Sequence, residues 1–461
     1  MHGLDAVGGL LINQGMCRCL ISLLFVSCLF SFVLQGEDKP NFLLILTDDL
    51  GYGDTSVYGA PDLTTPNIDR LAKEGMLFTS MRANCTVCSP TRAAMLTGKY
   101  ADRVGVPGVI RTGTNTWGYF DPSASTLADE LNKAGYHTAI VGKWHLGLKS
   151  PNTPNERGFD FFHGFLGDMM DDYYTHRRSG NNYMRLNSEI IEPEGHATEL
   201  FTDWAIEYLH DRASQPDEPF FLYLAYNAPH FPIQPPDDWL ARVEARAPEL
   251  SKKRAKNVAF VEHTDDCIGR LLEGLKAAGL AENTVVVFTS DNGGALGYDQ
   301  RNLPWRSGKQ SHYDGGLKVP FLVRWPGQVA AGSISDYEGL TFDVFPMFLN
   351  LAGAQIPEDL DAEDISPLFA GESMPKDRSL YFVRREGRIY GGKSYNALIR
   401  NGWKLMQNNP YSQLELYNLK EDPQETTNLF KKEQKLAREL QLEIQDHIQR
   451  AGSVPWEPPA K

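Results

Sequence analysis

The chain has 461 residues, 42% hydrophobic and 23% charged, a globular composition with length enough for a large buried core. A formal net charge of −14 leaves no basic footprint for nucleic acid, though a few cationic side chains and a metal can still hold a small anion. The 41 glycines and 28 prolines fit a loop-rich enzyme better than a helical bundle.

Residues Cys19 to Gly36 carry no charge, follow Arg18 and precede Glu37-Asp38-Lys39. This is a secretory signal pattern, with Met16 as an alternative start. Residues 1–36 are expected to be a signal peptide, which implies a secreted or periplasmic protein. A membrane anchor is the competing reading, because the run approaches the minimum span. Elsewhere no stretch has the length to cross a bilayer, so no stable span is expected in the mature chain. Cys17, Cys19 and Cys28 belong to this leader, which leaves Cys85, Cys88 and Cys267, too few for a disulfide scaffold.

Asn41 to Thr47 is a continuous apolar run, the mark of a strand buried on both faces, and it ends in Asp48-Asp49. Thr65-Pro66 opens a helix that Gly75 closes. Cys88 to Gly98 reads as a turn feeding a short helix, with Pro90 in the first turn and Gly98 as the stop. Arg92 lies four residues on, on the same face as Cys88. Ser125 to Leu131 starts another helix. Tyr136 to Val141 is a short strand running into Gly142-Lys143-Trp144-His145. Residues from about 158 to 194 read as an aromatic, charged, irregular loop, of the kind that carries specificity or a lid. A helix over 199–212 follows, then a buried strand, Phe220 to Ala225, leading to His230. Residues 256–278 are helical by period. Thr284 to Thr289 is a strand followed by Ser290-Asp291-Asn292-Gly293.

Alternating strands and helices predict an α/β fold, a large, mixed, mostly parallel sheet sandwiched by helices. From about residue 373 the texture changes to short polar strands around the Asn401-Gly402 turn, with a last helix over 433–450. The expected organisation is a catalytic domain over 37–372 and a C-terminal antiparallel sheet plus helix over 373–461.

Four apolar strands thus end in Asp48 and Asp49, Lys143 and His145, His230, and Asp291 and Asn292. In open α/β sheets the ligand crevice lies beyond the carboxyl ends of the strands, so these groups are expected to converge there. Each alone has an ordinary explanation as a cap, turn or satisfied histidine; their shared placement does not. Asp48, Asp49, Asp291 and Asn292 offer only oxygen, which suits Ca²⁺ or Mg²⁺ rather than zinc, and three carboxylates together need a cation. Cys85 and Cys88 also form C-x-x-C, here taken as coincidental.

Cys88-Ser89-Pro90-Thr91-Arg92 followed by Leu96-Thr97-Gly98 resembles the type I sulfatase signature C-x-P-[S/A/T]-R-x-x-x-L-T-G. Gly135 to Gly147 resembles a second sulfatase signature built around G-K-W-H. The likeness runs over essentially the whole mature chain and is strongest to arylsulfatases and N-acetylgalactosamine-6-sulfatase-like enzymes. It implies an alkaline-phosphatase-like fold and hydrolysis of a sulfate ester, expected here on a small molecule or glycan. It implies that a maturation enzyme oxidises Cys88 to Cα-formylglycine. One hydroxyl of the hydrated aldehyde attacks sulfur, and the other then expels sulfate, so one hard step becomes two. It further implies one Ca²⁺ held by Asp48, Asp49, Asp291 and Asn292 with the group at Cys88. Arg92 would orient the diol, Lys143 and Lys309 bind sulfate oxygens, His145 act as base, and His230 protonate the leaving alcohol. The rival readings are a phosphatase with two zinc ions, an inactive carbohydrate-binding relative, and a C-x-x-C redox protein. The first predicts zinc, the second a missing member of the set, and the third reactive thiols.

Overall fold

The computed structural model describes residues 39–459 apart from 114–115, 376 and 387–394. The signal-peptide reading and its three cysteines lie outside the described residues. Among these, no helix is long and apolar enough to cross a membrane.

The strands are β1 (Asn41–Thr47), β2 (Met76–Phe78), β3 (His137–Lys143), β4 (Phe161–Phe165), β5 (Arg177–Arg178), β6 (Asn181–Asn182), β7 (Met184–Leu186), β8 (Glu189–Ile190), β9 (Phe220–Ala225), β10 (Thr284–Ser290), β11 (Phe321–Arg324), β12 (Ser333–Ser335), β13 (Leu380–Val383), β14 (Asn396–Arg400), β15 (Trp403–Gln407) and β16 (Glu415–Asn418). The helices are α1 (Pro66–Glu74), α2 (Cys88–Thr97), α3 (Leu127–Lys133), α4 (Ala197–Ala213), α5 (Asp237–Arg246), α6 (Lys252–Ala277), α7 (Asp314–Leu317), α8 (Val344–Leu351) and α9 (Gln434–Ala451).

Ten strands form one sheet in the order β12-β2-β11-β10-β1-β9-β3-β4-β7-β8. The run β10-β1-β9-β3-β4 is parallel throughout. Its central strands β10, β1 and β9 are buried on both faces because helices cover both. Phe42, Leu44 and Leu46 of β1 pack with α2, α3 and α8 on one side. Leu43 and Ile45 pack with α1, α4 and α6 on the other. This is the mixed, mostly parallel, helix-covered sheet that the chain order predicts.

The stretch 158–194 is more ordered than its composition suggests. β4 pairs parallel with β3, and β7 and β8 extend the sheet beyond it. Phe161 and His163 of β4 are only partly buried, and His163-Gly164 interrupts the continuous apolar run that marks the central strands. Glycine in β4 is a packing requirement: a Cβ on Gly164 would lie 2.1 Å from the Gly142 carbonyl oxygen. Gly142, with φ of 103°, would in turn place a Cβ 2.0 Å from the Ala225 oxygen.

β13 to β16 form a separate four-stranded antiparallel sheet. Their centres are buried rather than polar, and α9 adds Ala437, Leu440 and Ile444 to a core shared with Ala94 and Tyr100. A buried ion network joins this sheet to the rest. Lys404 Nζ on β15 donates to Asp314 Oδ1 at 2.7 Å and to Glu425 Oε1 at 2.8 Å, while Arg82 holds the other Asp314 oxygen at 2.8 Å. Burial opposes the Asp314 charge, but Arg82 and Lys404 hold its carboxyl well below the usual range. Removing one partner of such a group leaves an uncompensated buried charge. Lys404→Met is therefore expected to cost about 3 kcal/mol or more of stability. Equilibrium denaturation checks this; an unchanged midpoint would show that Arg82 alone suffices.

Candidate active site

The parallel register brings the strand ends together. Thr47 pairs with Ser290, Leu46 with Ala225, and Ala225 with Gly142. The next residues on these strands therefore open onto one crevice. Asp291 N–H donates to Thr47 O at 3.1 Å, and Asp48 N–H to Ala228 O at 3.0 Å. Asp49 and His145 have φ of 65° and 61°, a left-handed conformation that costs about 1–2 kcal/mol in a residue with a Cβ. Both turn sharply out of their strands into the site.

Helix α2 supplies Cys88 as its first residue. Val87 caps it without a side-chain hydrogen bond, and Gly98 ends it at φ 65°, with its N–H on Ala94 O. Thr91 Oγ1 closes the approach by accepting from Cys85 N–H and donating to Cys85 O. Every residue of α2 is buried, so it is a core helix that presents its N-terminus to the crevice.

All ten residues singled out in the sequence lie in this region. Cys88 Sγ is 3.3 Å from Asp48 Oδ1 and 3.6 Å from Lys309 Nζ. Lys143 Nζ pairs with Asp48, and Lys309 Nζ is 2.6 Å from Asp49 Oδ1. The nearby Lys318 stays outside, with its ammonium 3.9 Å above the Trp305 ring. Arg92 sends two N–H donors to Asp291 Oδ2, at 3.0 and 2.8 Å, and a third to Lys143 O at 3.1 Å. Its guanidinium fixes the carboxylate layer and the turn after β3. His145 Nε2 donates to Ile110 O at 2.8 Å. This leaves Nδ1 as a buried acceptor without a partner among the described residues. His230 donates from Nδ1 to Phe231 O at 2.7 Å, and its Nε2 is 3.6 Å from Asp49 Oδ2.

The electrostatics follow from burial. The Cys88 thiol is pushed well up by burial and by Asp48, so it is a poor thiolate. Burial also raises Cys85 to about 12; its Sγ bonds to Val383 O, and the two cysteines are not joined. This speaks against a dithiol redox pair. Burial raises Asp291 to about 7, helped by Asp48. Burial works against the Asp48 charge too, but Lys143, His230, Arg92 and Lys309 hold that carboxyl well below its usual range. Burial holds His145 and His230 down as well, His230 to about 4.

Asp48, Asp49, Cys88 and His230 bring ligand atoms within 4.8 Å of one another. Asp291 and Asn292 adjoin this group through Asp49. Asp291 Oδ1 accepts the Asp49 N–H at 3.2 Å, and Asn292 Nδ2 donates to Asp49 Oδ1 at 2.8 Å. A second acceptor, Gly293 O, fixes the Asn292 amide and leaves its Oδ1 buried and unpaired among the described residues. A buried acceptor without a donor, beside carboxylates, fits a hard cation.

The site opens into a cavity of about 820 Å³. Asp168 and Arg178 stand on its wall as a two-bond pair, so the loop suspected of specificity does reach the cavity. Sequence reasoning missed Phe231, Leu296, Tyr298 and Asn408. Asn408 follows β15 and brings the C-terminal sheet into the cavity wall. No local signal marks these residues, because only the folded loop paths bring them to the crevice.

Strand-end carboxylates, buried cations and a helix N-terminus around one crevice define a hydrolase of anionic esters. The Sulfatase family model matches residues 40–354, and the model "N-sulphoglucosamine sulphohydrolase, C-terminal" matches residues 306–451. The chain belongs to the sulfatase family and is a sulfuric ester hydrolase. N-acetylgalactosamine-6-sulfatase of Homo sapiens is 35% identical over 373 residues, 76% of this chain and 69% of that one. Arylsulfatase A of Homo sapiens is 33% identical over 374 residues, covering 74% and 70%. The crystal structure of Ps i-CgsB in complex with k-i-k-neocarrahexaose is 32% identical, with a TM-score of 0.81 over 90% of this chain and 93% of that one. Phosphonate monoester hydrolase of Agrobacterium radiobacter, 20% identical, shares the fold at a TM-score of 0.66 over 90% and 96%.

Proposed function

We propose that this sulfatase hydrolyses a carbohydrate sulfate ester, using Cα-formylglycine made from Cys88 by a maturation enzyme and one Ca²⁺ held by Asp48, Asp49, Asp291 and Asn292 with the group at residue 88. The observation that carries this reading is the Cys88 thiol, buried at the helix N-terminus beside Asp48 and Lys309 with its proton held. As a thiol it is a weak nucleophile, and beside Asp48 it is Lys309 and an added cation that would favour an anion there. The hydrated aldehyde at residue 88 would supply an oxygen nucleophile, and a cation held by Asp48, Asp49, Asp291 and Asn292 would supply positive charge for sulfate oxygens. The relatives' names and the complex of Ps i-CgsB with a neocarrahexaose support a sugar as the alcohol. The uncharged run Cys19–Gly36 supports export, hence a secreted or periplasmic enzyme. Residues 373–461 serve as a subdomain that completes the catalytic region, 37–372, through Asn408.

The side chains divide the work. Lys143 and Lys309 each keep N–H donors beyond those engaged by Asp48 and Asp49, and these bind sulfate oxygens. Arg92 fixes Asp291 and the Lys143 backbone, which sets the nucleophile's surroundings. His145 accepts a proton at Nδ1. His230 gives its Nε2 proton to the leaving oxygen as the S–O bond breaks. A sulfate monoester entering beside it favours the imidazolium, against the burial that disfavours it.

A panel of defined sulfated mono- and disaccharides, assayed for released sulfate beside a phosphate monoester, tests the substrate class; turnover of the phosphate ester alone would overturn it. Within that panel His230→Ala is expected to lower kcat on a sugar sulfate about 10²–10⁴-fold, and much less on 4-nitrophenyl sulfate, whose leaving group needs no proton. Equal losses on both would remove His230 as the acid.

A further inference from the structure

The reading of His230 as proton donor leaves open what aims its ring. Two of its surroundings come from one neighbour. Phe231 accepts the Nδ1–H on its carbonyl at 2.7 Å, and its ring lies against the imidazole at 4.3 Å, 26° from parallel. Tyr298 stacks on Phe231 in turn at 4.6 Å and 11°, and the Lys309 ammonium lies 5.9 Å from the centre of the same ring. The backbone beneath is pinned as well: Tyr173 Oη donates to Asn227 O and His230 O at 2.8 and 2.9 Å, and Gln300 Nε2 donates to Pro229 O at 3.1 Å. Nothing in the chemistry assigned above uses Phe231 or Tyr298, yet both line the cavity, and Tyr298 is 38% exposed at its mouth.

We propose that Phe231 and Tyr298 are positioning residues: the ring stack His230–Phe231–Tyr298, with the Phe231 carbonyl, commits Nδ1 and holds Nε2 toward the crevice. This rests on His230 being the proton donor to the leaving alcohol. An imidazole with one ring nitrogen bonded can still tilt about that bond, and a parallel ring on its face removes the tilt. Tyr298 stacks on the middle ring in turn. Because Tyr298 stands at the cavity mouth, a sugar entering there meets the outer end of the stack that orients the acid.

The test compares Phe231→Leu, Tyr298→Leu and Tyr298→Phe with wild type and His230→Ala. The substrates are the sulfated sugar turned over fastest in the panel and 4-nitrophenyl sulfate. The two leucine variants are expected to lower kcat on the sugar about tenfold or more, leave its KM within about threefold, and leave turnover of the aryl sulfate within about threefold. Tyr298→Phe keeps the ring and is expected to match wild type. Retained aryl turnover also reports that the variants fold. Equal losses on both substrates would make the stack merely structural and overturn the proposal. A rise in KM with unchanged kcat would make Tyr298 a sugar contact and overturn it too. If His230→Ala discriminates between the substrates and the leucine variants do not, positioning fails while the acid stands. If His230→Ala does not discriminate, the acid reading fails and takes the positioning with it.

Discussion

Cys88→Ala is expected to lower kcat by about 10⁴-fold or more, because alanine cannot be oxidised to the aldehyde whose hydrate is the proposed nucleophile. The fold should tolerate the change. Cys88 is 3% exposed and its Sγ makes two long contacts, so removing it costs on the order of 1 kcal/mol. Cys88→Ser is the sharper variant. It keeps one oxygen at the helix N-terminus but lacks the second hydroxyl needed to expel sulfate. It is expected to release alcohol once per enzyme and then stall as a sulfate ester, a burst without turnover. Mass spectrometry of the peptide carrying residue 88, from a host with the maturation enzyme, should show an aldehyde in place of the thiol in wild type. A fully active wild type with an intact Cys88 thiol would overturn the mechanism, as would steady turnover by the serine variant.

The central sheet was legible because its strands are buried on both faces and read as unbroken apolar runs. Asn41 to Thr47 and Thr284 to Ser290 need no alternation to be recognised, and a parallel sheet has one end for its ligand groups. Convergence of Asp48, Lys143, His230 and Asp291 then follows from connection order. β4 escaped notice because only part of it is buried and Gly164 looks like a loop residue. In the C-terminal sheet, β13 lies apart from the Asn401-Gly402 turn that marks β14 and β15. Within the site, the groups at strand ends could be anticipated from the fold and Cys88, Arg92 and Lys309 from the sulfatase resemblance, whereas the other cavity-lining residues on long connections could not. Phe231 and Tyr298 stack although their numbers are 67 apart, and Asn408 comes from the connection after β15. The bond from Lys404 to Glu425 is equally invisible before folding. Left-handed backbone at Asp49 and His145 adds a signal that only the structure gives. Asp and His adopt that conformation more readily than most residues with a Cβ, yet it still costs energy that the surrounding packing offsets.

Chelation should silence the enzyme, and the reason lies in how the buried charges balance. Asp48, Asp49 and Asp291 face Arg92, Lys143 and Lys309, all fully buried except Lys309, whose side chain is 10% exposed to the cavity. Without a further cation the site is close to neutral and has little pull on a sulfate anion. Asp291 at about 7 already sits where burial and Asp48 compete with its ionisation. A divalent ion would keep all three carboxylates ionised and satisfy the Asn292 Oδ1, while the three side-chain cations remain for the substrate. Removing it is therefore expected to lower kcat/KM by about 10³-fold or more, since fixed positive charge is usually the largest single contribution to stabilising a developing anion. Stability should fall with it, because a ligand that binds only the folded state stabilises that state by mass action. Oxygen-only ligands predict that Ca²⁺ restores both activity and melting temperature, while Zn²⁺ does neither. Asn292→Ala is expected to raise the Ca²⁺ concentration needed for recovery without changing the identity of the effective ion. Elemental analysis of the purified enzyme sets the stoichiometry. Two zinc ions per chain, or full activity after exhaustive chelation, would replace this account with the two-metal phosphatase chemistry that the same fold can carry.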